Sequence, residues 1–150
     1  TYATENNCHA GVHHPVERGV TMSNEQLTMN KGNPAFEKAY ALAIRIVNAY
    51  KHLCEQKREF VLSKQLLRSG TSIGANLAEA NGAISEADLS AKVSIAYKEA
   101  QETKYWLRLL KDTDYLDNKA FDSLFSDVDE VAAILFAILK KTRINKRTDH

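Results

Sequence analysis

Two glycines inside an otherwise well-formed amphipathic helix constrain this chain more than any other feature. Leu62, Leu66, Gly70, Ile73, Leu77 and Ala80 recur in steps of four and three, the spacing of a helix-packing face. Gly70 and Gly74 lie one turn apart on or beside that face, among Ser69, Ser72, Ala75 and Ala78. Each glycine costs a helix roughly 1 kcal/mol relative to alanine. Two of them call for close approach of another backbone, in the same bundle or in a neighbouring subunit.

Three further segments have helical periodicity. Asn33 as N-cap and Pro34 at the first position open one helix, with Phe36, Tyr40, Ala43, Val47, Tyr50 and Cys54 as its expected seam. The polar run from Glu55 to Glu59 contains the turn into the glycine-bearing helix, which starts near Phe60. Asn81 and Gly82 are expected to end that helix, because both tolerate left-handed dihedrals. A third helix starts at Ser85, with Asp88 in a capping-box-like position. Its seam is Leu89, Val93, Ala96, Ala100, Thr103, Leu107 and Leu110, and Lys98 can pair with Glu102 one turn away. A fourth starts near Asp117 or Asn118, with a stripe of Phe121, Leu124, Val128, Val131, Leu135 and Ile138. No segment alternates with period two for long enough to argue a strand. The expectation is an all-α, up-down-up-down four-helix bundle over residues 33–139.

Residues 1–32 are weakly patterned and read as a flexible leader. Met22-Ser23-Asn24 looks like a natural start, so residues 1–21 read as a leader, a cloning remnant or an upstream read-through. Cys8, His9, His13 and His14 match no standard zinc spacing. Residues 140–150 form a basic tail. No apolar run is long enough to span a bilayer and no secretory signal is visible, so the expected compartment is the cytoplasm.

The chemistry of a bundle enzyme is missing. Di-iron bundles need Glu-x-x-His pairs, and His52 is the only histidine in the four helical segments. Glu99 and Glu102 have helical spacing without histidine partners. Ser69, Ser72 and Ser94 lack an evident base, and the glycines lack the Gly-Lys-Ser/Thr run of a phosphate loop. No catalytic residue, metal or cofactor is expected. Asn76 and Glu79, beside the glycine seam, read as groups that fix packing register between helices or subunits.

The net charge of +1 conceals an asymmetric distribution. Residues 34–82 carry seven bases against four acids, residues 113–139 one lysine against six acids, and residues 140–150 five bases against one acid. Arg45, Lys57, Arg58, Lys64 and Arg68, with Arg108 on the third helix, are the candidate phosphate contacts of a nucleic-acid-binding surface.

The second and third helices carry a resemblance. Gln65 to Ser69, Thr71 to Ala80, and Ile95 to Ala100 followed by Glu102-Thr103-x-Tyr105-Trp106-Leu107 resemble the four-helix-bundle proteins encoded in intervening sequences of bacterial 23S rRNA genes. These are often labelled ribosomal proteins, and they are similar to the accessory variability determinant of diversity-generating retroelements. The resemblance implies a ring-like homopentamer, binding of rRNA or other nucleic acid and, in the retroelement branch, a reverse transcriptase as partner. Arg68 matches the basic position before the family's Ser-x-x-Ser-Ile-x-x-Asn motif, here Ser69 to Asn76. It is therefore the foremost phosphate-contact candidate.

Overall fold

The computed structural model describes residues 33–148. The leader, including Cys8, His9, His13 and His14, lies outside the described residues. Four helices account for the rest: α1 (Pro34–Glu55), α2 (Leu62–Ala80), α3 (Glu86–Asp112) and α4 (Asn118–Thr148). The described residues contain no strand. Each helix packs on its neighbours in sequence, and α1 also packs on α4. The four interfaces therefore form a closed circuit around one core.

Local chemistry sets most of the boundaries. Asn33 Oδ1 accepts the Ala35 amide (3.0 Å) ahead of Pro34. Ser85 Oγ accepts the Asp88 amide (3.1 Å), and Asp117 Oδ1 accepts the Ala120 amide (2.7 Å). Each satisfies an amide that a helix start would otherwise leave bare. Asp114 has φ 66°, and the Tyr115 and Asp114 amides donate to the Leu110 and Lys111 carbonyls, so α3 ends in a Schellman motif. Helix α2 stops at Asn81 and Gly82 as expected, but by a different geometry. Asn81 stays right-handed at φ −63°, and the stop is made by turn bonds from the Asn81, Gly82 and Ala83 amides. Helix α4 continues to Thr148, so most of the basic segment prolongs the helix, at the end where its dipole favours cations.

The seams of α2, α3 and α4 fall largely as their periodicity predicts; Leu62, Leu89 and Ile138 are only half-buried. Helix α1 is different. Its fully buried residues are Ala35, Ala39, Leu42, Ile46 and Leu53, one position away from the expected stripe. A shift of one residue rotates the buried face by about 100°. The reason lies in α2. An alanine added at Gly70 would place its Cβ 2.8 Å from Ile46 Cγ2, and the corresponding position at Gly74 is 3.7 Å from the Ala39 backbone. The glycines admit Ile46 and the slender Ala35–Ala39 side of α1. The larger Phe36 and Tyr40 are turned to the flank, where their rings stack 6.3 Å apart. This is intramolecular use of the small-residue face.

Candidate nucleic-acid interface

Two of the three candidate arginines on α1, α2 and α3, the foremost candidate Arg68 and Arg45, are held by acids of neighbouring helices. Arg68 Nη2 donates to Glu102 Oε1 at 2.6 Å, linking α2 to α3, and Trp106 Nε1 donates to the same oxygen (3.2 Å). Beneath that bridge, buried Thr103 Oγ1 donates to Ser69 Oγ (3.1 Å). The Arg68 side chain is still 58% exposed. Glu102 thus turns to Arg68 rather than to Lys98. Glu99 stands beside this cluster with a buried oxygen that has no partner. Burial, then the Glu102 charge, push its carboxyl above the ordinary range against the opposing pull of Arg68. Glu99, which spacing alone sets beside Glu102 without a histidine partner, is half-buried.

Arg45 reaches the other way. It pairs with Asp127 on α4 and donates to Ser123 Oγ (2.7 Å). Lys38 pairs with Glu130, and Lys104 with Asp129. Much of the acid density of α4 is therefore matched by bases of the flanking helices α1 and α3. Arg45 and Arg68 sit on opposite interfaces of the circuit, α1–α4 and α2–α3, so the six candidate cations do not form one patch. Exposed surface pairs of this kind contribute about 0–1 kcal/mol each to stability.

Lys57, Arg58, Lys64 and Arg108 are exposed and have no acid partner among the described residues. Arg108 borders an open groove between α3 and α4 with Lys104, Tyr105 and Phe125, where Lys104 lies over the Phe125 ring at 5.5 Å. The other three fall within eight residues, Lys57 and Arg58 on the connection from α1 to α2 and Lys64 in the first turn of α2.

That connection is built around Glu59, which the sequence reading places only in a polar turn. The Glu59 carboxylate accepts the amides of Val61 (3.0 Å), Leu62 (2.8 Å) and Ser63 (2.6 Å), while Ser63 Oγ donates to the Glu59 carbonyl (2.9 Å). The Glu59 amide reaches back to the Leu53 carbonyl (3.0 Å). Burial pushes this carboxyl up, but the amide and hydroxyl hydrogen bonds outweigh it and hold the group below its ordinary value. Arg58, just before it, has φ 54°, the left-handed region that glycine normally fills. The N-cap position itself is Val61, which has no side-chain oxygen, and Glu59 caps from two residues before it, so residue type gave no signal for this cap. Its neighbours were equally unmarked in the sequence: Phe60 is 51% and Val61 72% exposed.

The remaining candidates are packing groups. Gly70 and Gly74 are buried against α1. Asn76 is half-buried and donates to the Ser72 carbonyl of its own helix (2.8 Å), and exposed Glu79 pairs with Lys92 across the α2–α3 turn. Among the described residues no cluster of acids, histidines and cysteines suits a metal ion. No helix there is long and apolar enough to cross a membrane.

Comparison with known proteins bears on the whole of this framework. Among curated proteins none matches the chain. A crystal structure of a protein of unknown function from the S23 ribosomal protein family of Bacteroides thetaiotaomicron VPI-5482 is similar, at 49% identity and a TM-score of 0.70. The similarity covers 71% of this chain and 98% of that one. Residues 31–137 match the model of the 23S rRNA-intervening sequence proteins. The chain belongs to that family.

Proposed function

We propose that this is a non-enzymatic, self-assembling bundle of the cytoplasm that binds structured RNA or DNA through exposed cations. The observation that carries the reading is the sorting of the candidate bases. Arg45 and Arg68 bridge helices, whereas Lys57, Arg58, Lys64 and Arg108 present unmatched charge to solvent. Such side chains bind phosphates by releasing counterions, without reading sequence. Binding measured by fluorescence anisotropy should weaken steeply as salt rises. Absence of any salt-sensitive binding of RNA or DNA at micromolar protein would sink the reading.

The bundle is read as up-down-up-down and the assembly as a ring-like homopentamer. Short connections and contacts confined to chain neighbours plus α1–α4 support the former. Exposed apolar patches on different sides of the bundle support the latter: Tyr40 and Ile44 one turn apart on α1, and, on the α3–α4 side, Phe136 beside Tyr97. A ring needs two different faces that meet head to tail. Light scattering should give about five times the 16.8 kDa chain mass; a clean monomer would refute the ring.

The same patches favour a second reading, in which the partner is a protein such as the reverse transcriptase of a retroelement and nucleic acid is incidental. Similarity to the accessory variability determinant belongs to this reading. Co-purification from the native host, with and without nuclease, separates the two.

A further inference from the structure

We infer that the tip between α1 and α2 is a binding site for unpaired nucleotides, with Phe60 as a stacking platform and Lys57, Arg58 and Lys64 as phosphate contacts. The inference rests on the nucleic-acid reading above and gives it a place and a substrate class.

The tip combines three properties. It exposes a large aromatic ring, Phe60, next to Val61. It carries three cations within eight residues and no free acid between them, because Glu59 is buried and bound to three amides. Its backbone is fixed on both sides of Phe60, by the Glu59 amide bond to Leu53 and by the carboxylate cap on Val61, Leu62 and Ser63. Phe60 thus lies exposed between two anchored stretches of backbone.

The occupant follows from this chemistry. The amides at the start of α2 are already taken by Glu59, so no main-chain cradle remains there for a single compact phosphate. Separated, flexible cations suit a phosphodiester chain instead. A ring face can take only a base whose own face is open, which a duplex interior does not offer and a single strand does. An anionic membrane would meet the same charges, but two side chains supply little apolar area for insertion. Arg58 fits the assignment as well. A left-handed arginine is disfavoured by about 1 kcal/mol, and a stability-optimised turn would carry glycine there.

The test uses the full chain, a labelled oligouridylate, a blunt RNA duplex of equal length, and phosphatidylserine-containing vesicles. Phe60→Ala and Phe60→Leu should each weaken oligouridylate binding about tenfold while leaving duplex binding and the thermal midpoint unchanged. Phe60→Trp should restore binding. Lys57→Gln combined with Lys64→Gln should flatten the oligouridylate salt slope by about 1.4. Full binding by both aromatic-loss variants, or equal loss on single strand and duplex, would overturn the stacking site while leaving general nucleic-acid binding intact. Vesicle binding lost in Phe60→Leu with RNA binding unchanged would reassign the tip to a membrane. A parent chain that binds no nucleic acid would remove both this inference and the reading beneath it.

Discussion

Toward α1, helix α2 presents Gly70 and Gly74; toward α3, the same helix presents Ser69 and Arg68. The first interface works by subtraction. Removing side chains lets Ile46 and Ala39 reach the α2 backbone, and the contact involves no side-chain polar group at those positions. The second is layered by polarity. A buried hydroxyl pair, Thr103 to Ser69, lies below a half-exposed ion pair, Arg68 to Glu102, with Trp106 sharing the carboxylate. A glycine face is sensitive to volume and indifferent to pH and salt. A layered polar face tolerates volume at its rim and responds to charge. The contrast also separates roles, because an arginine engaged in the polar face is less available to phosphate than one at the α1–α2 tip.

The largest break in this comparison should come from Gly70→Leu. The first added carbon already meets Ile46 at 2.8 Å, so the variant should lose about 3 kcal/mol or more in urea unfolding, or fail to fold. Next is Glu59→Ala, which strips the cap from the start of α2 and should cost about 1–2 kcal/mol. The sign of its pH dependence is fixed. The Glu59 carboxyl lies below its ordinary value in the folded chain, so its contribution is present above the unfolded value and is lost as pH falls through the folded one. The parent and Glu59→Ala should therefore converge in stability under acid, and a gap that persists there would contradict the cap. Thr103→Val removes one partner of the buried hydroxyl pair and should cost about 1 kcal/mol. Smallest is the Arg68–Glu102 coupling. A double-mutant cycle should return less than about 1 kcal/mol, shrinking with salt, because Arg68 is more than half exposed.

How much of this was legible in the residues differs along the same lines. Periodicity located all four helices, and the glycine face of α2 was readable because no other explanation fits two glycines in a helix. The face of α1 was not readable. Its apolar residues form two adjacent stripes, and contact of Gly70 with Ile46 and of Gly74 with Ala39 marks the one that faces α2. Of the two groups expected to fix register, Glu79 does link α2 to Lys92 on α3, whereas Asn76 bonds to Ser72 of its own helix, a distinction that spacing alone does not draw. The candidate cations were all visible, yet which of them bridge helices depends on acids far away in sequence: Asp127 for Arg45 and Glu102 for Arg68. Arg68, foremost by motif, is a bridge; the unmatched charge among the candidates lies at Lys57, Arg58, Lys64 and Arg108. Phe60 stayed hidden because periodicity extends the amphipathic helix back to it, whereas α2 begins at Leu62 and leaves Phe60 exposed on the connection.

The central claim is that the glycine face of α2 is closed within the chain, so that contacts with other molecules must use other surfaces. Comparing Gly70→Ala with Gly74→Ala, by urea unfolding and light scattering together, tests it most directly. At Gly70 the added methyl would collide with Ile46, and stability should fall by about 1–3 kcal/mol. At Gly74 the methyl finds ordinary contact distance to Ala39, and the gain in helix propensity should raise stability by up to about 1 kcal/mol with the assembled mass unchanged. Loss of assembly in Gly74→Ala without loss of fold would place that face between subunits and contradict the account.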